Sequence, residues 1–372
     1  MREKFKNQFF NREAIKNRVG ELRGVKRNEN QTFGIVFACI IMGFFVLNLL
    51  LPDKAFSDYE NRMLQTFPDF SASSYLDGSF ESNLENYSND QFAFRSIFVK
   101  VKSSIDSAAG SVYSNGVWKA RGGYLIEDTT VPTESRIDNA LAAIGTFKAA
   151  NPSLKMNFLL APNAVSILDD KLPLSAKPKD QNVYMDKMFD GLSSLGVGTI
   201  DVRETFEKNK NDTQLYYYTD HHWTSDGALL AFNQFRTQNG LDTSQDFTNY
   251  TVDNDFVGTL ASKSGFVVNS ADVLKVGMPA EDSSYKDSII YYEDTKEKTS
   301  EFYNFDNLDK KDAYTVFGGS NHPVYTIKTP VSENRRLLLI KDSYANSMIP
   351  YLAQYYREIV VVDPRYYFDS IE

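Results

Sequence analysis

The sequence predicts an α/β protein: a parallel sheet flanked by helices, carrying a β-rich insertion and preceded by one membrane-spanning helix. Three observations predict this. A charge-free apolar run of twenty residues lies near the N-terminus, apolar strand-like runs alternate with amphipathic helical patterns, and a Thr/Tyr/Val/Ser/Gly-rich stretch interrupts that alternation.

The apolar run is TFGIVFACIIMGFFVLNLLL, Thr32 to Leu51. At about 1.5 Å per residue it spans roughly 30 Å, the hydrocarbon thickness of a bilayer, and it is apolar on every face, as a core helix rarely is. Residues 1–31 hold nine Lys/Arg against four acids, whereas from residue 32 onward 31 basic residues face 45 acidic ones, a net −14. The basic tail predicts a cytoplasmic N-terminus, a single pass through the cell membrane and an extracellular remainder. The run is longer than a leader's apolar region and no small-x-small site follows in LLLPDKAFSD, so an anchor is expected instead of a cleaved leader. Cys39, the single cysteine, lies inside the run, so the exported part is held by its core without a disulfide. Its acidic balance argues against nucleic acid as a partner, because phosphate binding requires a basic face.

Residues 52–125 read as a stalk and a helical lead-in. FSDYENRMLQTFPDFSASSYLDGSF shows no periodicity, whereas Phe94, Ile97, Phe98, Val101 and Ile105 recur at helical spacing. The catalytic domain is expected over residues 126–372. It opens with a helix carrying Ile137, Leu141, Ile144 and Phe147, then a buried strand in KMNFLLAP (155–162). NVYMDKMFDGLSSLG (182–196) is the next helix and GVGTIDV the next strand. SDGALLAFNQFRTQNG (225–240) follows as a helix with Ser225 as its N-cap and Gly240 at its end. The insertion covers about 242–334, after which RRLLLIKDSYANSMIPYLAQYY and REIVVVDPRYY read as strand, helix, strand.

In such sheets chemistry gathers at the carboxyl ends of strands. LLLIK delivers Asp342-Ser343-Tyr344, TIDV leads to Asp220-His221-His222-Trp223, and IVVVD delivers Pro364-Arg365-Tyr366. A hydroxyl, a base and a carboxylate on one sheet edge are the set that acyl transfer requires. By position alone Ser343 reads as a helix N-cap in preference to a nucleophile. A metal site fits poorly. The chain has three histidines, His221, His222 and His322, adjacent histidines are expected to point apart, and no HExxH or cysteine ligand accompanies them. The GGSN stretch before His322 reads as a turn.

YTDHHWTSDG, with LLLIKDSYANS, VVVDPRYY, YENRMLQTFPDF and NDQFAFR, resembles the DHHW family over roughly residues 56–372. That family stands with the alginate O-acetylation proteins among SGNH-type hydrolases and acetyltransferases. The resemblance implies a circularly permuted SGNH-like fold in which Asp220 and His222 precede Ser343. It implies Ser343 as nucleophile, His222 as general base and Asp220 as its orienting carboxylate; His221 is expected in a structural or supporting role, because one base suffices. Arg365, Tyr344 and Trp223 are expected to contact substrate. The SGNH pattern also has an oxyanion-hole asparagine on a strand that would follow IVVVD. The sequence ends at Glu372 soon after, so either it is cut short at the C-terminus or another donor serves, the backbone N–H of Ser343 or its neighbour being the expected one.

The implied function is O-acetyl transfer to a cell-surface or exported polysaccharide through an acetyl-serine. The alternatives are a carbohydrate acetylesterase and a non-catalytic polysaccharide-binding scaffold. No cofactor or metal is expected. A partner, implied by the resemblance to be a multi-spanning membrane acyltransferase, would supply the acetyl group.

Overall fold

The computed structural model describes residues 29–57, 62–279, 287–319 and 321–369. All of the basic tail but its last three residues therefore lies outside the described residues. The chain divides into two units, one of residues 1–55 and 64–95, the other of 56–63 and 96–372.

In the first unit, helix α1 (Glu29–Leu50) contains nearly all of the predicted span, and it is long and apolar enough to cross a bilayer. The stretch expected to be irregular contains helix Ala72–Leu76, started by a capping box in which Ser71 and Ser74 exchange hydrogen bonds. Helix α2 (Ser79–Asp90) follows. Gln91, just past its end, accepts from Lys54 N–H (3.0 Å) and donates to the carbonyls of Lys54 (2.9 Å) and Gln65 (3.0 Å). The side chain thus clips the two extended segments at Lys54 and Gln65 to the end of α2.

The second unit takes in residues 96–125 together with those that follow. Its early hairpin, β1 (Val117–Lys119) with β2 (Leu125–Glu127), is built into it. Val117 and Leu125 pack against Leu260 and Phe266, and Leu125 N–H donates to the Tyr218 carbonyl (2.7 Å). Helix α3 (Glu134–Ala150) and helix α4 (Asn182–Ser194) flank β3 (Asn157–Leu160) and β4 (Gly198–Asp201), which pair in parallel as the alternation predicts. Helix α5 (Ser225–Gln238) is capped by Thr224, one residue earlier than predicted, because its hydroxyl accepts the Gly227 N–H (3.1 Å). Ser225 is spent instead on the Lys275 carbonyl.

The stretch expected as a separate insertion makes a hairpin, β5 (Phe247–Phe256) with β6 (Asp272–Pro279), and then joins the main sheet. That sheet has five strands in the order β8 (Lys298–Thr299), β7 (Ile289–Tyr292), β9 (Val324–Lys328), β11 (Glu358–Val362), β10 (Arg336–Ile340). Only β10 and β11 pair in parallel; the other pairings are antiparallel. The sheet is therefore mixed, and three of its strands come from the "insertion". The register aligns Tyr292 with Tyr325, Val324 with Val362, and Val362 with Ile340, so these four strand ends form one edge.

Candidate active site

Strand β10 runs into Lys341-Asp342 and a 3-10 turn, Ser343–Ser347. Asp342 caps that turn, its carboxylate accepting Tyr344 N–H at 3.0 Å. The cap position is thus filled, and Ser343 is free for another partner. Its half-exposed hydroxyl lies 2.9 Å from His222 Nε2. Beneath the turn, Lys341 pairs with Asp363 (3.1 Å), both side chains being buried, and so ties the ends of β10 and β11 together.

The DHHW segment is a tight loop between Tyr216 and Trp223, which bridge each other. Buried Asp272 holds it by accepting from Tyr218 N–H (2.7 Å), Thr219 N–H (2.8 Å) and the Thr219 hydroxyl (2.6 Å). Asp220 then points inward at 1% exposure with both oxygens occupied. Oδ1 accepts His222 N–H (3.0 Å) and faces His222 Nδ1 (2.6 Å); Oδ2 accepts Thr259 N–H (2.8 Å) and the Thr259 hydroxyl (2.9 Å). Gly258 permits this approach, since a Cβ there would sit 2.3 Å from Asp220 Cβ and 2.6 Å from Oδ2. On its other side, the His222 ring lies flat against Tyr314, with centroids 3.8 Å apart.

Burial works to raise the Asp220 pKa, but the two histidines and its hydrogen bonds outweigh it and hold the carboxyl well below its ordinary range. Burial, helped by the His221 charge, lowers His222 to about 4 against the pull of Asp220. His222 is therefore neutral at pH 7, as a proton acceptor must be. Asp312 is pushed up to about 6 by burial and by Asp220 nearby. Ser343 Oγ, His222 and Asp220 thus form a continuous hydrogen-bonded relay, ending at a carboxylate that stays ionised.

The other sequence-based assignments fare differently. Trp223 is 1% exposed and donates from Nε1 to the Tyr344 carbonyl and the Ser347 hydroxyl (2.9 Å each), so it braces the serine turn from within the core and is out of reach of substrate. Tyr344 is buried too; its hydroxyl donates to the His221 carbonyl and accepts from Asn163 Nδ2 (3.3 Å). Arg365 is exposed but grips Asp363 through Nε (2.9 Å) and NH2 (2.6 Å). Of the two expected oxyanion donors, the Tyr344 N–H is taken by Asp342, which leaves that of Ser343.

The adjacent histidines do not point apart. Their rings lie 3.9 Å from each other because both Nδ1 atoms turn toward Asp220. Asp220, His221 and His222 therefore offer ligand atoms within 4.8 Å of one another. They fit a metal poorly all the same: Asp220 accepts four hydrogen bonds, and His222 Nε2 faces Ser343. Sequence reading missed Gly258, Thr259, Asp272 and Tyr314. The only sequence signal was a Gly-Thr pair closing a strand-like run.

Residues 126–276 match the family model described as SGNH hydrolase-like domain, acetyltransferase AlgX. The fold is SGNH-like. The AlgX-type match contains Asp220 and His222 and stops before Ser343, which the main sheet delivers. Among curated proteins none matches the chain. A DHHW family protein from Eubacterium siraeum is 21% identical, with a TM-score of 0.53, over 70% of this chain and 86% of that one. PatB1 from Bacillus cereus, solved with a sulfonyl adduct, is 20% identical, with a TM-score of 0.52, over 66% of this chain and 85% of that one. At these identities the likeness is one of fold. The match to an acetyltransferase domain puts the chain among acyl-transfer or hydrolytic proteins.

Proposed function

We propose that the protein is a membrane-anchored O-acetyltransferase acting on a cell-surface or exported polysaccharide. The observation that carries this reading is the relay from Ser343 Oγ through His222 (2.9 Å) to Asp220 (2.6 Å). In the first step the Ser343 oxygen bonds to the acetyl carbonyl carbon while His222 Nε2 takes the hydroxyl proton. The tetrahedral intermediate then expels its leaving group, which receives that proton, and acetyl-Ser343 remains. In the second step a sugar hydroxyl gives its proton to His222 and attacks the acetyl-serine carbonyl. The bond to Ser343 Oγ then breaks and Oγ takes that proton back from His222, regenerating Ser343 and leaving the acetyl group on the sugar. Asp220 keeps Nδ1 protonated so that Nε2 can accept.

Residues 32–51 would anchor the chain, with the basic tail in the cytoplasm and the large unit outside. A multi-spanning acyltransferase as acetyl source rests on family resemblance alone. A serine-directed sulfonyl fluoride tests the chemistry: the full chain should be labelled at Ser343, and labelling should vanish in Ser343→Ala and fall steeply in His222→Ala. Unlabelled wild-type protein would favour the scaffold reading. Acetyl release to water from an acetyl ester, with none passing to any added glycan, would favour the esterase.

A further inference from the structure

A second concave site opens on the sheet edge that carries Ser343. It is a cavity of about 460 Å³, within the range that holds small ligands, and lies where β7 ends and β9 begins. Its back wall is Tyr292 stacked on His322, with centroids 3.9 Å apart and His322 Nδ1 held by Asp294 at 2.9 Å. Gly318 and Gly319 both have positive φ (80° and 77°), and a Cβ on Gly318 would meet nothing within 4 Å, so one side stays bare. Glu297, Glu301 and Asn304 line the rest together with Lys298, Thr295 and Thr299, and the side chains of the two glutamates and Asn304 have no hydrogen-bond or ion-pair partner among the described residues. Three strand spacings of about 4.8 Å put this cavity roughly 14 Å from the end of β10.

We propose that this cavity binds a glycan residue without a carboxylate, as a subsite of the acceptor whose acetylated hydroxyl lies at Ser343; this rests on the acyl-transfer reading above. Sugar hydroxyls are donors and acceptors, and two free carboxylates with one amide offer the complementary set. Two carboxylates against one ammonium, that of Lys298, leave the lining net negative and so unfavourable to a uronate, whereas neutral sugars meet no such repulsion. A backbone spanning the cavity and Ser343 is held at two points along the edge, so the acceptor is oriented and not merely collected.

The test is calorimetric titration of the full chain carrying Ser343→Ala, in detergent, with cellohexaose, chitohexaose and hexamannuronate. At least one neutral hexamer should bind, with hexamannuronate about tenfold weaker or worse, a gap of about 1.4 kcal/mol. Asn304→Ala should weaken the neutral hexamer, and Glu297→Gln with Glu301→Gln should narrow the discrimination against hexamannuronate. All three residues are exposed, so the variants should keep the thermal midpoint. Binding of no hexamer, equal or tighter binding of hexamannuronate, or unchanged affinities in the variants would overturn the inference. Labelling of Ser343 in the wild-type chain reports on the chemistry separately. A labelled protein that binds no glycan defeats this proposal and leaves the acyl-transfer reading standing. An unlabelled one that binds at the cavity defeats the acyl-transfer reading, and with it the cavity's part as an acceptor subsite, and leaves a glycan site only.

Discussion

Tyr314 lies on His222 like a lid, its ring plane 8° from parallel, and its hydroxyl donates to the carbonyl of Ser343 at 3.2 Å. One side chain thus touches both the base and the residue carrying the nucleophile. Tyr314→Phe keeps the stack and loses the hydrogen bond, a cost of about 1 kcal/mol. Tyr314→Ala loses the stack as well and frees the imidazole to rotate, so serine labelling should fall further than in Tyr314→Phe. Equal labelling rates in the two variants would show that the stack does not hold the ring.

Thr259 should behave as a positioning residue. Its hydroxyl is one of two donors to Asp220 Oδ2, and a hydrogen bond to a charged group is worth about 1.5–3 kcal/mol. Thr259→Val should therefore lower the labelling rate by about tenfold, and Thr259→Ser should restore it. A serine variant as slow as the valine one would mean that the methyl group's packing matters and the hydroxyl does not.

Gly258→Ala should be more damaging than its size suggests. Its φ of −78° suits alanine, so backbone strain plays no part; the new methyl collides with Asp220 instead. Overpacking of this kind costs roughly 1–3 kcal/mol. A lowered melting temperature together with lost labelling is expected, and normal labelling would show that Asp220 can retreat without consequence.

The pH dependence follows from His222. Its imidazole must be neutral to accept a proton, so labelling should hold at neutral pH and fall as pH drops through about 4. For stability the sign is the same. A histidine at its ordinary value of about 6.5 when unfolded and about 4 when folded binds more protons in the unfolded chain between those values, so stability falls as pH drops through that window. Chemical denaturation at pH 7, 5.5 and 4.5 should show the decline, and His222→Gln should flatten it.

Much of this was legible in the sequence, for physical reasons that differ between elements. The strand in KMNFLLAP and the helix at 182–194 are strongly patterned, and the structure has both within a few residues. Asp-x-His and the serine were both legible as site residues, but they do not share one sheet edge as expected: β4 pairs with β3 in a sheet of its own, and side-chain contacts of the DHHW loop, not strand pairing, bring His222 to Ser343. Trp223 misled because an indole beside a site looks like a sugar platform until its burial is known. Thr259 and Gly258 were illegible because they act through a backbone approach 39 and 38 residues from Asp220, and no periodicity records such a contact. The mixed sheet was missed because strands as short as β7 (IIYY) and β9 (VYTIK) are too brief to show a period of their own.

The hydrogen bond between Ser343 and His222 joins residues 121 positions apart, and both the nearer sheet edge and the DHHW loop must be complete before it can form. At a synthesis rate of roughly 5–20 residues per second, the acid/base half is made some 6–24 seconds before its nucleophile exists. A chain still being made, or one whose late strands have come loose, therefore holds a histidine with nothing to deprotonate. On the proposed mechanism, reactivity toward acyl groups waits until the two halves have met, and a serine probe would count only chains that have closed the full circuit.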